Sequence, residues 1–387
     1  MSVYKYKSAK GRNGYMWRAS IYVGKDAPKI TKAGFRTKSE AQEYESTIRR
    51  DMGRIRDSTR FKMTVGEAYD LMVKNKLERG EISKSTVDNY KISFNKIFDY
   101  RYVNLLLVDI TYERLQKWLD EIVKTVSGQR EFAFLKLFFK YCYMRNWILI
   151  DPSVDLFINK TIKKTPKAQE KADRLAKKMN WLEGDDYTKF MTCLQDWDVD
   201  PQDRAIVKLG LGTGLRKGEI RALTVADVDF DKRRVNVSKQ LNKYNEVAEL
   251  KGAGIKHQVP LSTELIAELK EFLSIKKAKY ESKGWKYSDD TYLFNSRTAD
   301  MAIGKEYIVE VLNKFYRNFK DENINRITVH GMRHTFASQL YHNSAMNLYD
   351  ISLLMGHSNV QTTIKYYIHT FDTAYDALET KLYKSNS

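Results

Sequence analysis

The chain has 387 residues, enough for two or three domains, and its 42% hydrophobic content allows ordinary cores. No apolar run approaches the roughly 20 residues that a membrane helix needs, and no N-terminal signal pattern is evident. Lys and Arg number 67 against 49 Asp and Glu, and the resulting formal charge of +18 favours a polyanionic partner through counterion release.

In the first 55 residues, Val3 to Lys7 alternates, Tyr15 to Val23 is aromatic and β-branched, and Lys29 to Phe35 supplies a third candidate strand. Gly11, Asn13 and Gly14 suit the first turn. Thr37-Lys-Ser-Glu40 is a capping-box pattern opening a helix from Ala41 to about Asp51. Lys5, Lys7, Arg12, Arg18, Lys29, Lys32 and Arg36 stud the strands. A twisted three-stranded sheet so decorated can enter a DNA major groove, although the same residues would also make a solvated basic face.

Residues 62–158 read as all-helical. Thr64 caps a helix through Ala68, Leu71 and Met72. Ser83 opens one to Tyr100 with Val87, Tyr90, Ile92, Phe94, Ile97 and Phe98 at helical spacing. Thr111 opens a third through Leu115, Trp118, Leu119 and Ile122, and Arg130 to Trp147 forms a fourth, ended by Asp151-Pro152. The aromatic residues recur at helix periods and are expected in the core. Lys84, Lys91, Lys96, Lys136 and Lys140 are candidates for a DNA-facing side. Residues 159–178, with Lys160, Lys163, Lys164, Lys167 and Pro166, read as a basic interdomain linker along a phosphate backbone, or as a solvated charge run. The last region, 179–387, alternates helices with a strand pair, Arg233 to Lys239 and Gln258 to Leu261. The expected fold is multidomain α+β: a small three-stranded-sheet-plus-helix unit, an all-α unit, and a mainly α unit with a small β-sheet. Cys142 and Cys193 sit in apolar helical contexts and make neither a disulfide framework nor a zinc site.

The second half carries the chemistry. Arg216, Lys251, His330, Arg333, His357 and the pair Tyr366/Tyr367 follow one another, each in its own short context. Arginines, a lysine and histidines can hold a phosphodiester and move its protons, and a tyrosine can attack the phosphorus. No cofactor is expected, because nothing in the set demands a metal or a nucleotide. The run Gly210-Leu-Gly-Thr-Gly-Leu-Arg216 reads as a glycine turn feeding a helix. It lacks the Gly-Lys-Ser/Thr ending of a nucleotide loop. Glu219 lies one helical turn after Arg216, placed to orient a neighbouring arginine or histidine.

Thr213-Gly-Leu-Arg-Lys-Gly-Glu219, followed by Leu223-Thr-x-x-Asp-Val228, resembles the first signature of the tyrosine recombinases, the integrases of phages and integrative elements. His330-Gly-Met-Arg333-His334-Thr335-Phe336-Ala337 resembles their His-x-x-Arg box. Leu354-Met-Gly-His357-Ser358-Asn359, with Thr362-Thr363-Ile-Lys-Tyr-Tyr367-Ile-His369, resembles the nucleophile box.

The resemblance implies that Arg216 and Arg333 grip the scissile phosphate, with Glu219 in support. His330 helps take the tyrosine proton, and His357 bonds a phosphate oxygen. Lys251, which precedes the second strand, donates a proton to the leaving 5′-hydroxyl, with Lys256 as the fallback. Tyr366 lies nine residues after His357 and Tyr367 ten; Tyr367 carries the Tyr-x-His ending and is the favoured nucleophile. His334 is expected to support its box structurally. The resemblance further implies an arm-site DNA-binding domain at 1–55, a core-site DNA-binding domain at 62–158 and a catalytic domain at 179–387. It implies double-stranded DNA with core and arm attachment sites as substrate, a homotetramer on DNA, DNA-bending and excision factors as possible partners, and a cytoplasmic, nucleoid-associated place in a bacterial host. A helical tail, Asp372 to Tyr383, would dock on a neighbouring protomer or close its own domain. Two alternatives stay open: a catalytically inactive DNA-binding regulator with the same fold, and a type IB topoisomerase-like enzyme.

Overall fold

The computed structural model describes residues 3–8, 14–21, 30–54, 62–99, 102–170, 181–250, 256–296, 298, 301–343, 346–357, 359–361 and 363. Contacts divide the chain into two units, Met1–Arg174 and Leu175–Ser387.

The first unit opens with β1 (Val3–Lys7), β2 (Tyr15–Ile21) and β3 (Ile30–Phe35), antiparallel in that order, followed by helix α1 (Lys38–Arg54). The expected strand ends at Val23 and Lys29 lie outside the described residues. The helix begins three residues before the expected Ala41, because Thr37 already caps it: its hydroxyl accepts the Glu40 amide at 3.1 Å. The Glu40 carboxylate reaches back one residue further than a regular capping box, accepting from the Arg36 amide at 2.9 Å. Val3, Ala19 and Ala41 form a small core with Trp17, Phe35 and Tyr44.

A second core in the same unit is built by α2 (Val65–Glu78), α3 (Lys84–Ile97), α4 (Tyr112–Val123) and α5 (Gln129–Met144). Thr64, Ser83 and Thr111 cap the first three of these helices as their sequences predict. Phe94, Phe98, Phe134, Phe138 and Phe139 are buried together, so the aromatic periodicity marks core. Two assignments to the apolar face are corrected: Leu71 is 37% exposed and Ile92 is 50% exposed. Ile92 lies two residues before Phe94, about 200° around the helix and so on its far side. Helix α5 also stops earlier than the expected Trp147. Asn146 adopts φ +56°, a left-handed stop, and the Trp147 amide turns back to the Cys142 carbonyl at 2.9 Å.

The second unit centres on α7 (Pro201–Thr213), which packs against α9 (Thr263–Ser282), α10 (Tyr307–Asn318) and α11 (Val329–Asn343). Helices α6 (Gly184–Gln195), α8 (Lys217–Ala222) and α12 (Leu348–Leu354) also belong to this unit. The small sheet runs β4 (Val228–Asp229), β5 (Arg234–Val237), β8 (His257–Pro260), and a separate ribbon pairs β6 (Gln240–Leu241) with β7 (Val247–Ala248). The expected strand from Arg233 is shorter, since Arg233 itself has φ +53°. Its partner starts one residue before the expected Gln258, with Val237 paired to His257.

The glycine run is also corrected. Gly210 and Gly212 lie inside α7, and only Gly214 turns, at φ +62°. A Cβ on Gly210 would sit 2.7 Å from the Met332 side chain and one on Gly212 2.8 Å from Leu265, so these glycines let α11 and α9 approach α7. Cys142 and Cys193 are buried free thiols. Among the described residues, no helix is long and apolar enough to cross a membrane.

Candidate active site

The Gly214 turn ends α7 and delivers Arg216 to the N-cap of α8. Glu219, with its side chain fully buried, accepts twice from Arg216: from the backbone amide and from Nη1, each at 2.7 Å. The carboxylate therefore fixes the arginine whose helix it helps to cap. The other terminal nitrogen, Nη2, donates to the Gly356 carbonyl at 3.3 Å.

Arg333 reaches the same place from α11. It is 2% exposed, with Nη1 donating to the Gly214 carbonyl at 2.8 Å and Nη2 to the Met355 carbonyl. Two guanidinium groups from distant segments thus lean on consecutive carbonyls of the turn that follows α12. That turn needs Gly356, whose φ is +58° and whose Cβ would meet the His257 ring of β8 at 2.7 Å.

His357 follows directly, with Nδ1 2.8 Å from the Thr363 hydroxyl. His330 lies three residues before Arg333 on α11, and its ring stands edge-on to His334 at 4.5 Å between centroids. All three histidines are pushed towards the neutral form. Burial, then Arg333 and Arg216, lower His330. Burial, then His330 and Arg333, bring His334 down to about 4. Burial, then Arg333, Arg216 and the two neighbouring histidines, bring His357 down to about 3. The cluster is a concentration of donors and positive charge, an environment suited to an anion.

Of the expected site, Arg216, Glu219, His330, Arg333 and His357 come together. Lys251, Tyr366 and Tyr367 lie outside the described residues, as does the tail. Lys256, the fallback lysine, is exposed beside β8. Sequence reasoning missed Gly356, His257 and Thr363 as neighbours of the cluster. It also missed Arg221, a buried side chain whose Nε donates to the Ile303 carbonyl at 2.9 Å and whose Nη1 donates to Asn242 at 3.2 Å. Arg221 ties α8 to the turn of the β6–β7 ribbon; a second basic residue in a short helix gives no sign in the sequence that it is buried.

The basic residues expected on the N-terminal sheet do not share one face. Strand alternation and the pairing of Lys5 with Trp17 and Lys7 with Tyr15 put both lysines on the α1 side. Lys32 pairs with Ala19 on that side, its ammonium 4.9 Å from the Tyr44 ring. Arg18 is on the opposite face, stacked over Tyr6 at 4.8 Å and Tyr4 at 5.9 Å. Arg36 precedes α1, and Arg12 and Lys29 lie outside the described residues. Lys84 and Lys91 are exposed on α3, whereas Lys96 turns to the buried Glu131 at 3.2 Å and Lys136 donates to the Val154 carbonyl at 2.6 Å. Lys163 is exposed and Lys164 half-buried. The segment after them is not wholly extended: residues 166–170 are helical, and the Thr165 amide donates to the Lys124 carbonyl at 2.9 Å.

The model of the phage integrase family matches residues 180–373, just over half of the chain and all of the motif-bearing region. The chain belongs to this family. It is 34% identical over 171 residues to the transposase of transposon Tn916 from Enterococcus faecalis, a match covering 42% of this chain, and the chain spans 42% of that relative's length. It is 26% identical over 318 residues to the integrase of Staphylococcus phage L54a, covering 78% of this chain and 87% of the phage protein. The fold resembles that of the Tn1549 transposon integrase solved in complex with transposon right end DNA, with a TM-score of 0.58, 22% identity and coverage of 82% and 99% of the two chains. It also resembles the lambda integrase dimer bound to a COC' core site, with a TM-score of 0.55, 17% identity and coverage of 94% and 93%. The α+β architecture expected from the sequence is the one observed: a sheet-plus-helix start, a helical middle and a mixed, mostly helical end.

Proposed function

We propose that this chain is a site-specific tyrosine recombinase, an integrase that moves a phage or other mobile element by cutting and rejoining DNA. One observation carries the reading. Arg216 and Arg333, from two separate motifs, meet at the carbonyls of Gly356 and Met355, immediately before His357 of the third. Three motifs spread over some 140 residues of sequence thereby face one small volume.

In the reaction, the two guanidinium groups bind the non-bridging oxygens of a DNA phosphate and stabilise the charge that builds in the pentavalent transition state. Tyr367 attacks the phosphorus through its phenolic oxygen, and His330, held neutral, takes the phenolic proton. The bond to the 5′-oxygen breaks, and Lys251 supplies the proton that makes this oxygen a hydroxyl. A 3′-phosphotyrosine ester remains and conserves the bond, so attack by a 5′-hydroxyl of a partner strand restores DNA without an energy source. Four protomers exchange two pairs of strands in sequence through a Holliday junction. The proposed domain division is an arm-site reader at 1–55, a core-site reader at 62–158 and a catalytic domain at 179–387. Of the two faces of the N-terminal sheet, the helix-free one with Arg18, Tyr4 and Tyr6 suits a groove.

The test uses a nicked suicide duplex carrying the core sequence recovered by binding selection from random DNA. Wild type should form a protein–DNA adduct that survives denaturing electrophoresis. Tyr367→Phe should abolish it and Tyr366→Phe should not. DNA binding without any adduct would make the chain a regulator. Relaxation of supercoiled DNA lacking the core sequence would make it a topoisomerase.

A further inference from the structure

We propose that Thr363 is a positioning residue that holds His357 in the Nε2–H tautomer, so that the ring offers the scissile phosphate a proton instead of a lone pair. The inference rests on His357 being a phosphate ligand, as proposed above.

The geometry begins with the 2.8 Å separation between His357 Nδ1 and Thr363 Oγ1. That contact uses one ring nitrogen and leaves Nε2 as the only one available to a ligand. Thr363 is 2% exposed, so the residue is almost wholly shielded from bulk water. A buried hydroxyl proton needs an acceptor, and among the described residues His357 Nδ1 is the partner of this one. Donation from Oγ1 to Nδ1 requires Nδ1 to be unprotonated.

The ring is neutral at ordinary pH, because burial and the charges of Arg333 and Arg216 disfavour a second proton. A neutral imidazole carries one N–H, and with Nδ1 bare it is on Nε2. The opposite arrangement would present a lone pair to the phosphate, an acceptor facing an acceptor. The His357 backbone is fixed independently, its amide donating to the Ser352 carbonyl at 3.0 Å. The threonine thus selects which ring nitrogen is protonated, while the backbone sets where the ring begins.

The experiment reads the tautomer and the rate separately. Two-bond proton–nitrogen spectra of protein with 15N-labelled histidine, with His357 assigned by its loss in His357→Phe, should show wild type and Thr363→Ser protonated at Nε2. Thr363→Val, which keeps the shape and loses the hydroxyl, should show both tautomers. Its single-turnover adduct formation on the selected suicide duplex should fall about 10- to 100-fold, by analogy with the loss seen when a partner that orients a metal-ligating histidine is removed. In a His357→Phe background, Thr363→Val should cost nothing more. An equal loss in both backgrounds would assign the threonine a merely structural role and overturn the proposal. So would protonation at Nδ1 in wild type. A wild type that forms no adduct sinks the recombinase reading and the rate half of this one, while the spectrum still decides the tautomer.

Discussion

Glu219→Gln is the substitution that most sharply tests how the first arginine is held. The native carboxylate accepts two hydrogen bonds at 2.7 Å, from the Arg216 amide and from its Nη1, and its side chain is fully buried. Glutamine has almost the same shape but one acceptor oxygen, so it can keep only one of the two. Its amide nitrogen then faces the other donor. A lost hydrogen bond to a charged group costs about 1.5–3 kcal/mol. Arg216 keeps partial solvent contact, with 24% of its side chain exposed, and this favours the lower half of that range. For a unit of this size, each kcal/mol lowers Tm by roughly 2–4 °C, which predicts a fall of about 3–9 °C. If the glutamine keeps the backbone bond, the guanidinium is the group displaced. Single-turnover adduct formation should then fall about 100- to 1000-fold, as when a fixed transition-state donor is removed. Thermal unfolding and adduct formation on the suicide duplex measure the two effects. A Gln variant that melts and cleaves like wild type would refute the role given to this carboxylate.

Gly356→Ala should be at least as damaging to cleavage. The φ of +58° costs a side chain about 1–2 kcal/mol, and the new Cβ would lie 2.7 Å from the His257 ring, so both the melting temperature and the adduct rate should drop. Acid should destabilise the fold through the histidine cluster. His334 and His357 titrate at about 4 and about 3 in the fold, against an ordinary 6.5. The unfolded chain therefore binds protons first as pH falls, and the stability these groups contribute is complete above about 6.5 and is lost on the way down through 4 and 3. Urea midpoints across that range should decline with acid, and His357→Phe should flatten part of the slope; an unchanged slope would contradict the placement of His357. Seating a phosphodiester beside the ring should raise the His357 pKa, which histidine NMR with and without the duplex can read.

The capping residues and aromatic periods made the helical middle legible. Thr64, Ser83 and Thr111 act locally, and local chemistry is written in adjacent residues. The errors came where packing across the chain overrode a local cue. Gly210 and Gly212 look like a turn, but they are smooth points on two different sides of a core helix, and their need for smallness comes from Met332 and Leu265, far along the sequence. Lys96 looks like one more surface cation, but it answers a buried acid, Glu131, contributed by another helix. Arg216, His330, Arg333 and His357, which come together, each sit in a short motif. Their meeting point was not legible, because it is made of backbone: the carbonyls of Gly214, Met355 and Gly356 carry no side-chain signature.

Peptide mass spectrometry of protein trapped on the suicide duplex, after nuclease digestion, asks the central question directly. The account predicts one nucleotide-bearing peptide, modified on Tyr367 through a phosphate ester. A nucleotide on Tyr366 would move the nucleophile by one residue. A nucleotide on neither tyrosine, in protein that has bound and retained the duplex, would contradict the claim that this chain breaks DNA with a tyrosine.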